Sequence, residues 1–215
     1  RKFMGTLWNT YAFFVLYAEI DSFNPAEHPL KEEGLTVMDR WILSELNSLI
    51  RFVDESLNEY KITESARRIQ DFVDDLSNWY VRRGRERYWG SEMTEDKLAA
   101  YTTLWTVLTE LSKLSAPFVP FLAEELYQNL VVPFFPKAPE SVHLADFPVF
   151  DEKYIDENLS AGMKSVLKLV VLGRAARNRA NLKNRQPLEK LMYKGIEDDI
   201  SQELLSLAAD ELNVK

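Results

Sequence analysis

Apolar residues recur every three or four positions in one segment after another, the period that lets an α-helix bury one face. Ile42, Leu46, Leu49, Val53, Leu57 and Tyr60 form one such stripe. Ala66, Ile69, Val73, Leu76 and Tyr80 form a second, and Leu98, Tyr101, Trp105, Leu108 and Leu111 a third. Proline and glycine punctuate the intervals. The pattern predicts helices over 3–21, 36–60, from 63 into the eighties, 94–115, 120–130 and 155–182. Residues 22–35 read as a loop, and 131–151, with Pro133, Pro136, Pro139 and Pro148, as a long surface crossing.

Local chemistry supports these bounds. Thr36 followed by Asp39 has the form of a capping box, with Asp a weaker partner than Glu. Thr94 precedes Glu95 and Asp96, an N-cap with acids in the first turn. Pro117 should break one helix and Pro120 begin the next. The first helix carries Trp8, Phe13, Val15 and Leu16 beside its Leu7–Tyr11–Phe14–Ala18 stripe, which predicts burial on more than one side. Glu124 and Glu125 read as a solvated edge, and Ser141–Leu144 as a short extended piece. In the 155–182 helix the stripe Leu159, Met163, Val166 and Val170 continues as Arg177 and Asn181, so one end should pack and the other project. After Pro187, Lys190–Tyr193 reads as a strand, Gly195 as a turn and Ile200–Leu212 as a last helix. The fold class expected is mainly α: an antiparallel helical bundle over 1–187, then a small mixed α/β C-terminal tail over 188–215.

Composition excludes several classes. Apolar residues are 46% and charged residues 28% of the 215, as in a soluble globular protein. There is no cysteine, so disulfides, thiolate metal sites and a cysteine nucleophile are absent. No apolar run approaches the ~20 residues that span a bilayer, and no signal-peptide pattern is present. The start Arg-Lys-Phe, without an initiator Met, suggests a piece of a longer chain. Net charge is −8, yet residues 164–190 carry +7, which leaves −15 elsewhere. That asymmetry points to an anionic partner at one face.

The second basic feature is NWYVRRGRERYWG, residues 78–90. Arg82, Arg83, Arg85 and Arg87 face one acid, Glu86, and are flanked by Trp79–Tyr80 and Tyr88–Trp89. Guanidinium forks suit phosphates and base edges, and aromatic rings suit unstacked bases, which together suggest single-stranded or looped RNA. Trp79 and Tyr80 at helical spacing also fit a packed core, and arginines at a helix end can complement its dipole. Both readings stand on the residues alone.

Catalytic signatures are missing. No glycine loop for phosphates, no HExxH and no serine elbow occurs. His28 lies in a Pro-rich loop, and His143 stands alone with Asp146 three residues on. Asp74 and Asp75 lie on helix faces. No catalytic residue and no metal site is expected.

Five strings nonetheless stand in order: DRWILSELN (39–47), NWYVRRGRERYW (78–89), LSAPFVPFLAEELYQNL (114–130), ESVHLADFP (140–148) and LGRAARNRANLKNRQPL (172–188). With TLWNTYAFF at 6–14 they resemble the anticodon-binding region of the class I aminoacyl-tRNA synthetases, in the isoleucyl-tRNA synthetase branch. The resemblance covers nearly the whole chain and is least distinctive over 196–215. It implies a bundle that holds the anticodon stem and loop of tRNA(Ile), within a cytoplasmic ligase that charges that tRNA with isoleucine using ATP. The HIGH and KMSKS signatures of the family's catalytic half do not occur here, so no cofactor is expected in this stretch. ATP and catalysis would belong to the catalytic domain of the same polypeptide. Zinc-binding tails of some members need cysteines that this chain lacks.

The resemblance implies tRNA-facing roles for Trp79, Arg82, Arg83, Arg85, Arg87, Trp89, Arg174, Arg177, Lys183 and Arg185. On this expectation, neutralising Arg174 or Arg177 weakens all tRNAs alike, whereas changing Arg83 or Arg87 penalises the cognate anticodon. The rival is a helical protein–protein scaffold whose arginines join salt bridges with the abundant acids. A DNA-binding domain ranks last, since no helix-turn-helix pattern with a basic recognition helix is evident, and no membrane partner is expected.

Overall fold

A computed structural model describes residues 2–194 and 200–215. By contacts the chain divides into two compact units, 1–155 and 156–215. That division precedes the long basic helix, whereas the sequence suggests one after 187. The reason is packing: this helix and the last one lie against each other.

The first unit is a helical bundle of α1 (Lys2–Ile20), α2 (Val37–Asn58), α3 (Ile62–Asp75), α4 (Arg82–Gly84), α5 (Glu95–Ser115) and α6 (Pro120–Leu130). The expected stripes form its core: Ile42, Leu46, Leu49 and Val53 of α2 are buried, as are Ile69 and Val73 of α3 and Tyr101, Leu108 and Leu111 of α5. The α2 stripe ends early. Tyr60 is 88% exposed, at φ 60° in the turn that reverses the chain into α3. The first helix differs from expectation more widely. Leu7, Tyr11 and Phe14 are buried against α3 and α5, but Met4, Trp8, Leu16 and Ile20 are exposed, because neighbours within this unit cover only one face.

Asp39 is the polar centre of this unit. The capping box is complete: Asp39 N donates to Thr36 Oγ1 at 3.2 Å, and Thr36 N donates to Asp39 Oδ2 at 2.9 Å. The Asp39 carboxylate is 0% exposed. It also accepts from Thr36 Oγ1 (2.7 Å), the Tyr80 hydroxyl (2.6 Å), and Arg87 Nη1 and Nη2 (2.8 and 2.9 Å). Burial pushes its pKa up, but the Arg87 bonds and charge, with the two hydroxyls, outweigh that and leave it below the ordinary value. A second buried ion pair joins Lys97 to Asp21 at 2.6 Å, and the Tyr101 hydroxyl also donates to Asp21.

Two expectations about the crossing are corrected. Ser141–Leu144 is not extended; Val142–Leu144 forms one 3₁₀ turn capped by Ser141. Glu124 is not simply a solvated edge. Its Oε2 accepts from Ser141 Oγ and Val142 N, both at 2.9 Å, tying that turn to α6.

The second unit pairs α7 (Glu157–Arg179) with α8 (Gln202–Leu212). Gly162 and Gly173 allow the close approach. A Cβ on Gly173 would stand 2.5 Å from Leu212 Cδ1, and one on Gly162 2.8 Å from Leu204 Cδ1. Residues Lys190–Tyr193 form no strand; the extended contact is one parallel bridge between Leu188 and Val214. The expected turn at Gly195 lies outside the described residues.

Asp75, at the end of α3, has its pKa pushed up to about 6, by burial first and then by Glu45, Asp71 and Asp74, with Arg68 opposing. A folded-state value above the ordinary 3.8 means that Asp75 adds stability below that pH and loses it as pH rises through about 6. Asp75→Asn should therefore stabilise the fold at pH 8 by about 1 kcal/mol, allowing for solvent screening, and give no gain at pH 3.5. Denaturant midpoints at the two pH values check this; equal shifts at both would count against it.

Candidate nucleic-acid interface

The segment that follows α3 changes pitch three times without breaking. Leu76–Val81 forms a π-helical turn, α4 adds one short α turn, and Arg85–Tyr88 tightens into a 3₁₀ helix. The widened turn is seen in Arg82 N, which donates to Ser77 O, five residues back. Asn78 Nδ2 donates to Asp74 O (2.9 Å), and Arg82 Nε to Asn78 O (2.7 Å), covering carbonyls along the altered turn.

Widening and then tightening sorts the side chains. Tyr80, Val81 and Tyr88 are buried. Arg82, Arg85 and Trp89 are exposed, Trp89 to 59%, while Trp79 and Arg83 are half-buried. The Arg82 guanidinium lies 5.8 Å from the Trp79 ring centroid, a cation–π arrangement. Trp79 is thus neither a full core residue nor a free platform.

Arg87 goes the other way. It forms the bidentate pair with Asp39, and its Nε donates to both carboxylate oxygens of Asp96 at 3.1 Å. Its Nη2 also donates to Asp96 O at 3.0 Å, and its side chain is only 15% exposed. The predicted tRNA-facing role of Arg87 therefore meets a guanidinium already occupied by carboxylates. Its neighbours are clamped too. The Tyr88 hydroxyl donates to Ala100 O at 3.0 Å, and buried Lys97 Nζ donates to Gly90 O at 2.6 Å. Burial holds the Tyr80 and Tyr88 hydroxyls well above their ordinary pKa, so both stay neutral donors.

The second basic group belongs to the 156–215 unit. Lys183 and Arg185 are exposed. Arg174 is partly exposed and ion-paired with Glu211. Arg177 is 2% exposed. Its Nη1 donates to Leu212 O at 3.0 Å, and its Nη2 to Lys183 O (2.5 Å), Asn184 O (3.3 Å) and Gln186 O. The apolar stripe of α7 continues as Arg177 because that side chain also packs inward; the expected projection of the basic end holds for Arg179, not for Arg177. Arg177 shapes the loop that displays Lys183 and Arg185.

Sequence reasoning missed Asp39, Asp96 and Lys97 as parts of this site. The capping spacing marked Asp39 as a helix-start residue, and Asp96 as a favourable first-turn charge. Neither pattern shows that a side chain forty-eight residues on will return to meet Asp39.

Arg177→Met should destabilise the second unit by about 3 kcal/mol, since buried carbonyls lose a charged donor. Hydrogen exchange at Leu188 and Lys215, whose amides close the bridge between Leu188 and the residues after α8, should accelerate, while Arg185→Met leaves it unchanged. Unaltered exchange in Arg177→Met would show the loop to be held otherwise.

Residues 39–193 match the family model described as the anticodon-binding domain of tRNA ligase. The chain is 53% identical over its whole length to the isoleucine–tRNA ligase of Clostridium novyi, covering 20% of that protein. It is 53% identical to that of Dehalococcoides mccartyi and 47% to that of Porphyromonas gingivalis, covering 21% and 19% of them. The chain thus spans about a fifth of the length of these curated relatives. It belongs to the family of anticodon-binding domains of tRNA ligases, and its relatives there are isoleucine–tRNA ligases.

Proposed function

We propose that this chain is the part of an isoleucine–tRNA ligase that grips the anticodon stem and loop of tRNA(Ile). One observation supports the reading most: an anticodon-binding fold presents exposed Arg82, Arg85 and Trp89, with Trp79 under Arg82, on a segment anchored from inside. Exposed guanidinium groups meet phosphates or base edges, and exposed indole stacks on splayed loop bases. Lys183 and Arg185 add phosphate contacts from the second unit.

In this reading ATP-dependent joining of isoleucine to the tRNA takes place in a catalytic domain of the same cytoplasmic polypeptide. These residues contribute recognition, not chemistry. Among the described residues no cluster of metal-binding side chains occurs, and no helix is long and apolar enough to cross a membrane.

The scaffold reading gains from Arg87 and Arg174, which do join acids. A mobility-shift titration with tRNA(Ile) transcript and an anticodon-swapped transcript, each at low and moderate salt, separates the two. Binding should fall steeply with salt. Lys183→Ala and Arg185→Ala should weaken both transcripts alike and each lower the salt slope by about 1. Arg85→Ala or Trp89→Ala should cost the cognate anticodon about 1–3 kcal/mol more than the swapped one. Absence of salt-sensitive binding favours the scaffold, and a preference for duplex DNA would overturn the RNA reading.

A further inference from the structure

Asp39 is wholly buried, so no nucleic acid can touch it, yet it is the terminus of the bonds that hold the arginine segment. Tyr80 reaches it from the π-helical turn before the exposed arginines, and Arg87 from the 3₁₀ turn after them. Arg82, Arg83 and Arg85 therefore lie on a span fastened at both ends to one carboxylate. Asp96 holds the outer edge of Arg87, and Lys97 holds Gly90, the residue after Trp89.

We propose that Asp39 is a positioning residue for RNA: through Tyr80 and Arg87 it fixes how Arg82, Arg83, Arg85 and Trp89 are presented, and so sets affinity for the anticodon loop from a place the RNA never reaches. The inference rests on the RNA-binding reading above and adds a residue that charge alone would assign to the opposite role. An acid beneath a basic surface weakens an anion's binding by Coulomb repulsion. Removing it should then tighten binding if it acts only through charge. If it acts by holding the segment, removing it loosens three guanidinium groups and an indole, and the entropy of ordering them returns as a cost on binding.

The test is Asp39→Asn in the 215-residue chain. It removes the charge and keeps the shape. Binding of tRNA(Ile) anticodon stem-loop is measured by fluorescence anisotropy, at a temperature where far-ultraviolet circular dichroism shows the variant as folded as the parent. The expected result is about tenfold weaker binding, despite a net charge one unit less negative. In an Arg85→Ala/Trp89→Ala background the same change should cost only about threefold, since two of the four groups it positions are gone. Should Asp39→Asn not fold, Asp96→Asn serves, because it weakens the hold on the outer edge of Arg87 and also removes a negative charge. Weaker binding, diminished in the double-alanine background, supports the inference. Equal or tighter binding overturns it, as does a loss that persists undiminished in that background. Failure of the unsubstituted chain to bind the stem-loop overturns the RNA reading itself, and this inference with it.

Discussion

The bidentate pair between Asp39 and Arg87 joins parts of the first unit that are far apart in sequence: the start of α2, the 3₁₀ turn after α4 and, through Asp96, the start of α5. A buried ion pair is weak evidence for net stability, because both charges must leave water. Its value here is geometric. A carboxylate with five short donors has no second orientation of equal energy, and a guanidinium bound along two edges cannot rotate. The ion pair fastens the helix that changes pitch between Asp75 and Trp89 to the start of α2.

The same device recurs in the second unit with carbonyls in place of carboxylates. Arg177 gathers the carbonyl oxygens of Lys183, Asn184, Gln186 and Leu212, which bends the chain after α7 into a defined loop. Arginine suits both places for one reason: its planar fork offers five donors from a fixed framework and stays charged when buried. Each basic group thus contains arginine of two kinds. Arg87 and Arg177 hold the backbone from within, while Arg82, Arg85, Arg179 and Arg185 are exposed. Counting positive charges in a segment overstates what is available to a polynucleotide, and understates how firmly the available part is held.

Much of the helical framework is legible in the sequence. The Thr36–Asp39 spacing, the Thr94 cap and Pro120 mark helix starts that occur within a residue of where local chemistry puts them. These features involve neighbours in the chain, so the chain order displays them. The π-helical turn was not legible, because the stripe through Leu76 and Tyr80 keeps its four-residue step across it. Nor was the exposed face of α1: apolar residues around a helix give its capacity for burial, not whether a neighbour supplies the cover. Ser141–Leu144 failed as an extended piece because Glu124, seventeen residues earlier, accepts from Ser141 and so fixes the tight turn.

Periodicity and capping chemistry, being local, were enough to establish a mainly helical chain, the span of most of its helices and, with five ordered strings, the family. The direction in which each arginine points was not local. Arg87 differs from Arg85 in no intrinsic property; it turns inward because folding brings a buried carboxylate within 3 Å of it, and Arg85 stays outside. Long-range pairing of buried charge, which depends on how helices assemble, separates the guanidinium groups that build the surface from those that form it.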